Sequence, residues 1–113
     1  MSDVTTLSVD CGGGGIKASV LDAEGNIISR AVRTPTPYPL PPMKLVETIA
    51  SLASQLPGAD RVTVGMPGMI RHGVVIATPH YITKDGPRSR VLPELVEQWD
   101  HFDMGRAIAA ALS

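Results

Sequence analysis

Asp10-Cys11-Gly12-Gly13-Gly14-Gly15-Ile16-Lys17 places four consecutive glycines after an apolar run and a carboxylate, and closes them with a cation. Without Cβ atoms, such a loop can take positive φ angles and turn its bared N–H groups onto an anion oxygen. Asp10 is then placed to hold Mg²⁺ beside phosphates through water, because Mg²⁺ takes oxygen ligands and keeps several of its waters. The plainer reading is a tight reversal between two strands. A Walker loop runs through Gly-Lys-Ser/Thr into a helix, and a dinucleotide fingerprint also opens a helix. Here Ala18-Ser19-Val20-Leu21-Asp22 follows, which matches neither.

Working outward, residues 6–10, 16–21 and 27–32 read as three strands of a meander whose first hairpin is the glycine loop. Asp22-Ala23-Glu24-Gly25-Asn26 is its second turn. Five prolines between Thr34 and Pro42 remove ladder donors and predict a stiff connector; an SH3-type ligand is the alternative for a proline-rich stretch. Val46, Ile49, Ala50, Ala53 and Leu56 recur at helical spacing, so a helix is predicted over 43–56, stopped by Pro57-Gly58. A strand over 61–65 runs into Met66-Pro67-Gly68, which is either a binding edge or a simple β-turn. A short strand over 74–77 follows. Residues 78–90 read as irregular and polar, with Lys84, Arg88 and Arg90 either solvated or meeting a polyanionic phosphoryl donor. Helices are predicted over 92–99, with Pro93 at the start, and 104–112, with Asp103 as N-cap.

At 113 residues with 43% hydrophobic and 4% aromatic content, the chain predicts one α/β domain. A net charge of −1 gives no clustered basic excess for nucleic acid, so no nucleic-acid partner is expected. One cysteine forms no internal disulfide, and there is neither a signal-peptide pattern nor a long apolar run, so the expected location is cytoplasmic with no membrane partner. His72, His80 and His101 lack zinc-motif spacing and read as surface or polar-packing residues. Cys11 has no arguable partner base and reads as a small buried thiol.

Two ordered motifs carry a resemblance. Asp10 to Lys17 with the hairpin behind it, and then Val64-Gly65-Met66-Pro67-Gly68-Met69-Ile70-Arg71-His72-Gly73-Val74-Val75, resemble the amino-terminal part of the ROK family of repressors, open reading frames and sugar kinases. His72-Gly73-Val74-Val75 and Ala77-Thr78-Pro79-His80 look closest to its polyphosphate glucokinase-like branch. The resemblance implies an α/β, actin-like (ribonuclease H-like) ATPase lobe: a three-stranded antiparallel meander, then alternating helices and strands, incomplete at the C-terminus. The chain would be a single domain, the amino-terminal lobe, with the second lobe absent.

The implied phosphate-binding residues are Asp10, Gly12, Gly13, Gly14, Gly15 and Lys17, with Asp10 reaching Mg²⁺ through water and Gly65, Pro67 and Gly68 on the sugar side. The implied activity of an intact member is phosphoryl transfer from ATP or polyphosphate to a hexose such as glucose. The family's catalytic aspartate, its sugar-contacting Glu and His and its cysteine-rich zinc motif have no counterpart here, so the chain is expected to be inactive alone. Gly14 stands where the family's first phosphate loop usually carries Thr or Ser, which removes one hydrogen bond to phosphate. The alternative is a non-catalytic sugar-sensing relative of the transcriptional-regulator type, without room ahead of the first strand for a DNA-binding helix-turn-helix. An unpaired sheet edge is expected to give a homodimer or swapped oligomer.

Overall fold

In the computed structural model, which describes residues 3–112, Leu7, Val9 and Cys11 of β1 (Thr6–Cys11) point into the core, while Ser8 and Asp10 point away from it. This period of two gives β1 one buried and one open face. β2 (Gly15–Leu21) answers with buried Ile16, Ala18 and Val20, pairing antiparallel so that Cys11 faces Ile16 and Asp10 faces Lys17. β3 (Val32–Pro35) pairs with β2, and β4 (Arg61–Gly65) lies parallel to β1 on its other side. The four-stranded order is β3-β2-β1-β4.

The third strand starts later than the expected 27–32. Ile27 makes only an isolated bridge to Leu21, and Ile27 and Ile28 are 61% and 53% exposed. The reason is Ser29: its Oγ takes the Val20 N–H at 2.8 Å, so a side chain occupies the place of a ladder carbonyl and pairing resumes only at Val32. The connector is correspondingly shorter than its prolines suggest, because Thr34 and Pro35 belong to β3.

α1 (Pro42–Ala53) opens with proline at N1, where a missing N–H costs nothing. It buries Leu45, Val46, Ile49 and Leu52 beneath the sheet, each stabilising the fold by roughly 1.5–3 kcal/mol. It ends before the expected Leu56. Gln55 and Leu56 donate to the carbonyls of Leu52 and Ala53, and Ser54 Oγ caps the Ser51 carbonyl at 2.7 Å, tightening the last turn. β5 (Met69–Arg71) and β6 (Val74–Ala77) form a separate hairpin, turned by His72 and Gly73 with φ of 51° and 80°, a two-residue type I′ signature.

α2 (Pro93–Trp99) and α3 (Met104–Leu112) fall where the sequence predicts them. Asp103 Oδ1 accepts the Arg106 N–H at 3.0 Å, the expected N-cap. α3 packs beside α1. Val62, Val64 and Met66 line an apolar groove of about 470 Å³ against Met104, Ile108 and Leu112. Among the described residues no helix is long and apolar enough to cross a membrane.

Candidate functional site

β1 and β4 run in the same direction, so their carboxyl ends lie side by side, with Asp10 in register with Gly65. Loops leaving neighbouring strand ends in an open sheet are where α/β folds bind ligands. The glycine loop leaves β1 and Met66-Pro67-Gly68 leaves β4. The register also sets Gly65, Asp10, Lys17 and Arg33 in one row across all four strands, on the face opposite the core. Asp10, Gly12, Gly14, Gly15, Lys17 and Arg33 line a cleft of about 520 Å³ there. Arg33 was not singled out in the sequence; its pairing with Lys17 places it.

The loop reverses the chain through a Gly12 N–H to Gly15 O bond of 2.8 Å. Its carbonyls are then turned inward and held. Gly12 O accepts from Thr36 Oγ1 at 3.0 Å and Tyr81 Oη at 2.8 Å, Gly13 O accepts from Tyr38 Oη at 2.6 Å, and Gly14 O accepts from the Thr36 N–H at 3.3 Å. Among the described residues, the N–H groups of Gly13 and Gly14 have no backbone or side-chain acceptor. Carbonyls held by side chains, beside amides with no acceptor among the described residues, make a loop that can take anion oxygens.

The expected use of positive φ is corrected, since none of residues 12–15 has it. Close approach is what favours glycine at Gly13, where a methyl group would lie 3.0 Å from His80 Nδ1 and 3.0 Å from Pro87 Cγ, so that those side chains would have to give way. A methyl at Gly14 would meet nothing within 4 Å, so the missing hydroxyl residue would fit.

Beneath the loop lies a single run of rings. Tyr38 and Tyr81 are 6.3 Å apart between centroids, Tyr81 and Trp99 5.8 Å, and Trp99 and Phe102 5.8 Å. These are all four aromatic residues of the chain. Trp99 is anchored by its Nε1–H to Leu40 O at 2.8 Å. Burial pushes the Tyr81 and Tyr38 hydroxyls above their ordinary range, which keeps them protonated as donors. Cys11 is buried as expected, and burial, followed by the neighbouring Asp10 charge, pushes its thiol up to about 12. A thiol so protonated is not a nucleophile.

On the other strand end, Gly65 and Gly68 are exposed and Pro67 half-buried. Thr78, itself buried, donates its Oγ1 to Pro67 O at 2.9 Å. Gly68 has φ of 138°, and a methyl there would collide with the Ala77 carbonyl, so no other residue fits the turn. The structure thus brings Asp10, Lys17 and Gly65 together and places Pro67 and Gly68 just beyond. His72 and His101 are exposed, and His80 is half-buried with its Nδ1 lacking a hydrogen-bond partner among the described residues. No cluster of three or more metal-ligating side chains occurs among the described residues.

The residues that hold the loop, Thr36, Tyr38 and Tyr81, were missed in the sequence. Their only signal was that the chain's two tyrosines are few enough to suggest assigned positions.

Residues 6–111 match the family model described as the ROK family. A polyphosphate glucokinase from Mycobacterium tuberculosis is 34% identical over 70 residues, which covers 61% of this chain and 26% of that protein. An N-acetylmannosamine kinase from Escherichia coli is 37% identical over 79 residues, covering 68% of this chain and 27% of that protein. The chain therefore spans about a quarter of the length of these relatives. A ROK family glucokinase from Streptomyces griseus, solved in complex with glucose and AMPPNP, superposes with a TM-score of 0.67 at 23% identity, over 94% of this chain and 30% of that one. That likeness shows the fold, an actin-like α/β lobe as expected. With the match running through both loops and nearly the whole chain, this protein belongs to the ROK family.

Proposed function

We propose that this chain is the amino-terminal, phosphate-binding lobe of a ROK-type sugar kinase. The observation that carries the reading is the glycine loop: its carbonyls are tied back by Thr36, Tyr38 and Tyr81, its Gly13 and Gly14 amides are free among the described residues, and Asp10 and Lys17 stand beside it. Gly12, Gly13, Gly14 and Gly15 would receive donor phosphate oxygens, and Lys17 would neutralise them. Asp10 suits a hydrated Mg²⁺, being exposed at the strand end and in no salt bridge among the described residues. Mg²⁺ would supply charge neutralisation between phosphates. Gly65, Pro67 and Gly68 would border the sugar.

In the intact protein the reaction would be transfer of the terminal phosphoryl group of ATP or polyphosphate to a hexose hydroxyl, where positioning and charge stabilisation do most of the catalysis. The names of the kinase relatives support that substrate pair. These 113 residues alone are expected to bind phosphate without turning over sugar, in a cytoplasmic setting. A homodimer or swapped oligomer is expected, because β4 has β1 on one side only among the described residues and the apolar groove adjoins it.

Calorimetric titration of the chain with Mg²⁺-tripolyphosphate tests the site. Saturable binding that weakens strongly in Lys17→Gln is expected, and no binding would sink the reading. Light scattering at micromolar concentration tests assembly, and a clean monomer would contradict it. Gly14 favours a second reading, a sugar sensor without phosphoryl transfer. Tight sugar binding by a full-length form that never phosphorylates would establish that instead.

A further inference from the structure

Of the ten lysines and arginines in the chain, only Lys17 and Arg33 line the cleft at the glycine loop, beside Gly12, Gly14 and Gly15, among the described residues. Lys84, Arg88 and Arg90, weighed from the sequence as partners of a polyanion, do not border it. Lys17 on β2 and Arg33 on β3 stand directly opposite each other on neighbouring antiparallel strands. Like charges so placed lie about 5 Å apart between Cβ atoms and destabilise a sheet.

Nothing around the pair relieves the repulsion. Asp10, the carboxylate of the same row, is in register with Lys17 but two strands from Arg33, about 10 Å across the sheet. On its other side Arg33 borders a groove shared with Lys44 and Glu47 of α1. Neither Asp10 nor Glu47 forms a salt bridge with Lys17 or Arg33 among the described residues. Arg33 is also exposed, while Val32 before it is buried, so the alternation of β3 turns the cation away from the core. The same strand runs into Thr36, whose hydroxyl holds Gly12 O, which ties the segment carrying Arg33 to the loop. A guanidinium brings what an ammonium lacks, a planar fork that grips two oxygens of one phosphate.

We propose that Arg33 is a further phosphate-binding residue of this cleft, paired with Lys17 so that the two cations repel in the free lobe and are relieved when donor phosphates bind. This adds a residue to the loop amides and Lys17, and it rests on the reading that the glycine loop holds donor phosphates. Arg33 then weakens the empty lobe and strengthens the occupied one. A cation kept only for the fold would do the reverse.

The test titrates Mg²⁺-tripolyphosphate into wild type, Arg33→Gln, Lys17→Gln and Arg61→Gln, the last at the opposite end of β4, and measures their ligand-free melting temperatures. Arg33→Gln should bind about tenfold more weakly or worse, the loss of one charge-assisted contact. Its melting temperature should stay at or above that of wild type, because the repulsion is gone. Arg33→Lys keeps the charge without the fork and should fall between the two in affinity. Arg61→Gln should bind as wild type does. In wild type the Arg33 Nε–H NMR signal should move with the same saturation as binding, a readout that needs no variant to fold. If Lys17→Gln weakens binding while Arg33→Gln does not, or if the Nε–H signal stays still through saturation, Arg33 is wrongly assigned and the glycine-loop site stands. Equal loss in Arg61→Gln, or lost affinity in Arg33→Gln with a lowered melting temperature, would overturn the assignment too. If wild type binds no tripolyphosphate, both readings fail.

Discussion

Two reversals flank β2, and they are built on opposite principles. The turn at 22–26 closes through its own residues: Asp22 Oδ1 takes the N–H groups of Glu24 and Asn26 at 3.0 and 2.8 Å, Asp22 N–H donates to Asn26 O at 2.9 Å, and Gly25 supplies φ of 87°. The glycine loop at 12–15 is held by side chains 24, 25 and 69 residues away, which take its carbonyls and leave two amides unused among the described residues. A turn that only reverses the chain satisfies itself locally. A turn that the rest of the lobe holds open has donors to spare, and that is the mark of a binding loop.

The comparison breaks most visibly if the scaffold under the loop is removed. Trp99→Ala should cost about 3–5 kcal/mol in urea unfolding and raise amide exchange in the glycine loop, while the 22–26 turn keeps its native exchange pattern. Equal loosening of both turns would erase the distinction.

Alkali is the next lever. Cys11 is raised to about 12 in the fold, against roughly 8.5 in an unfolded chain. The stability that this neutral thiol contributes is whole below the unfolded value and declines as pH rises toward the folded one, at about 1.4 kcal/mol per pH unit. Unfolding free energies from urea titrations should fall with that slope above about pH 8.5, and Cys11→Ala should flatten it.

Tyr81→Phe is a finer cut. It removes one of two donors to Gly12 O and should cost about 1–2 kcal/mol while weakening tripolyphosphate binding. Smallest is Asp22→Asn in the self-closed turn, where a minor drop in melting temperature and unchanged phosphate affinity are expected. The Asp22 carboxyl is held below its usual range, chiefly by the Asn26 N–H. Its contribution is therefore present above the ordinary carboxylate value and lost only as pH falls through the lowered one.

Much of this was legible in the residues because it is local. The strand 61–65, the N-cap at Asp103 and the proline opening α2 rest on neighbours in sequence, and they stand where expected. β3 was misplaced because Ile27-Ile28 satisfies strand propensity, while the Ser29 hydroxyl that replaces a ladder carbonyl leaves no periodic signal. At the site, Asp10, Lys17 and the glycines could be named, but Arg33 needed the β2–β3 register, and Thr36, Tyr38 and Tyr81 needed the folded lobe. The glycines were expected to be there for positive φ. None of them has it, and the tight approach at Gly13 comes from Pro87 and His80, a contact across more than sixty positions that no local pattern encodes.

The most direct test of the central claim is an amide-resolved NMR titration of the chain with Mg²⁺-tripolyphosphate. The account predicts large saturable shifts at the Gly13 and Gly14 amides, smaller ones at their neighbours and none at residues 22–26. Shifts that spare Gly13 and Gly14, or that touch both turns alike, would contradict it.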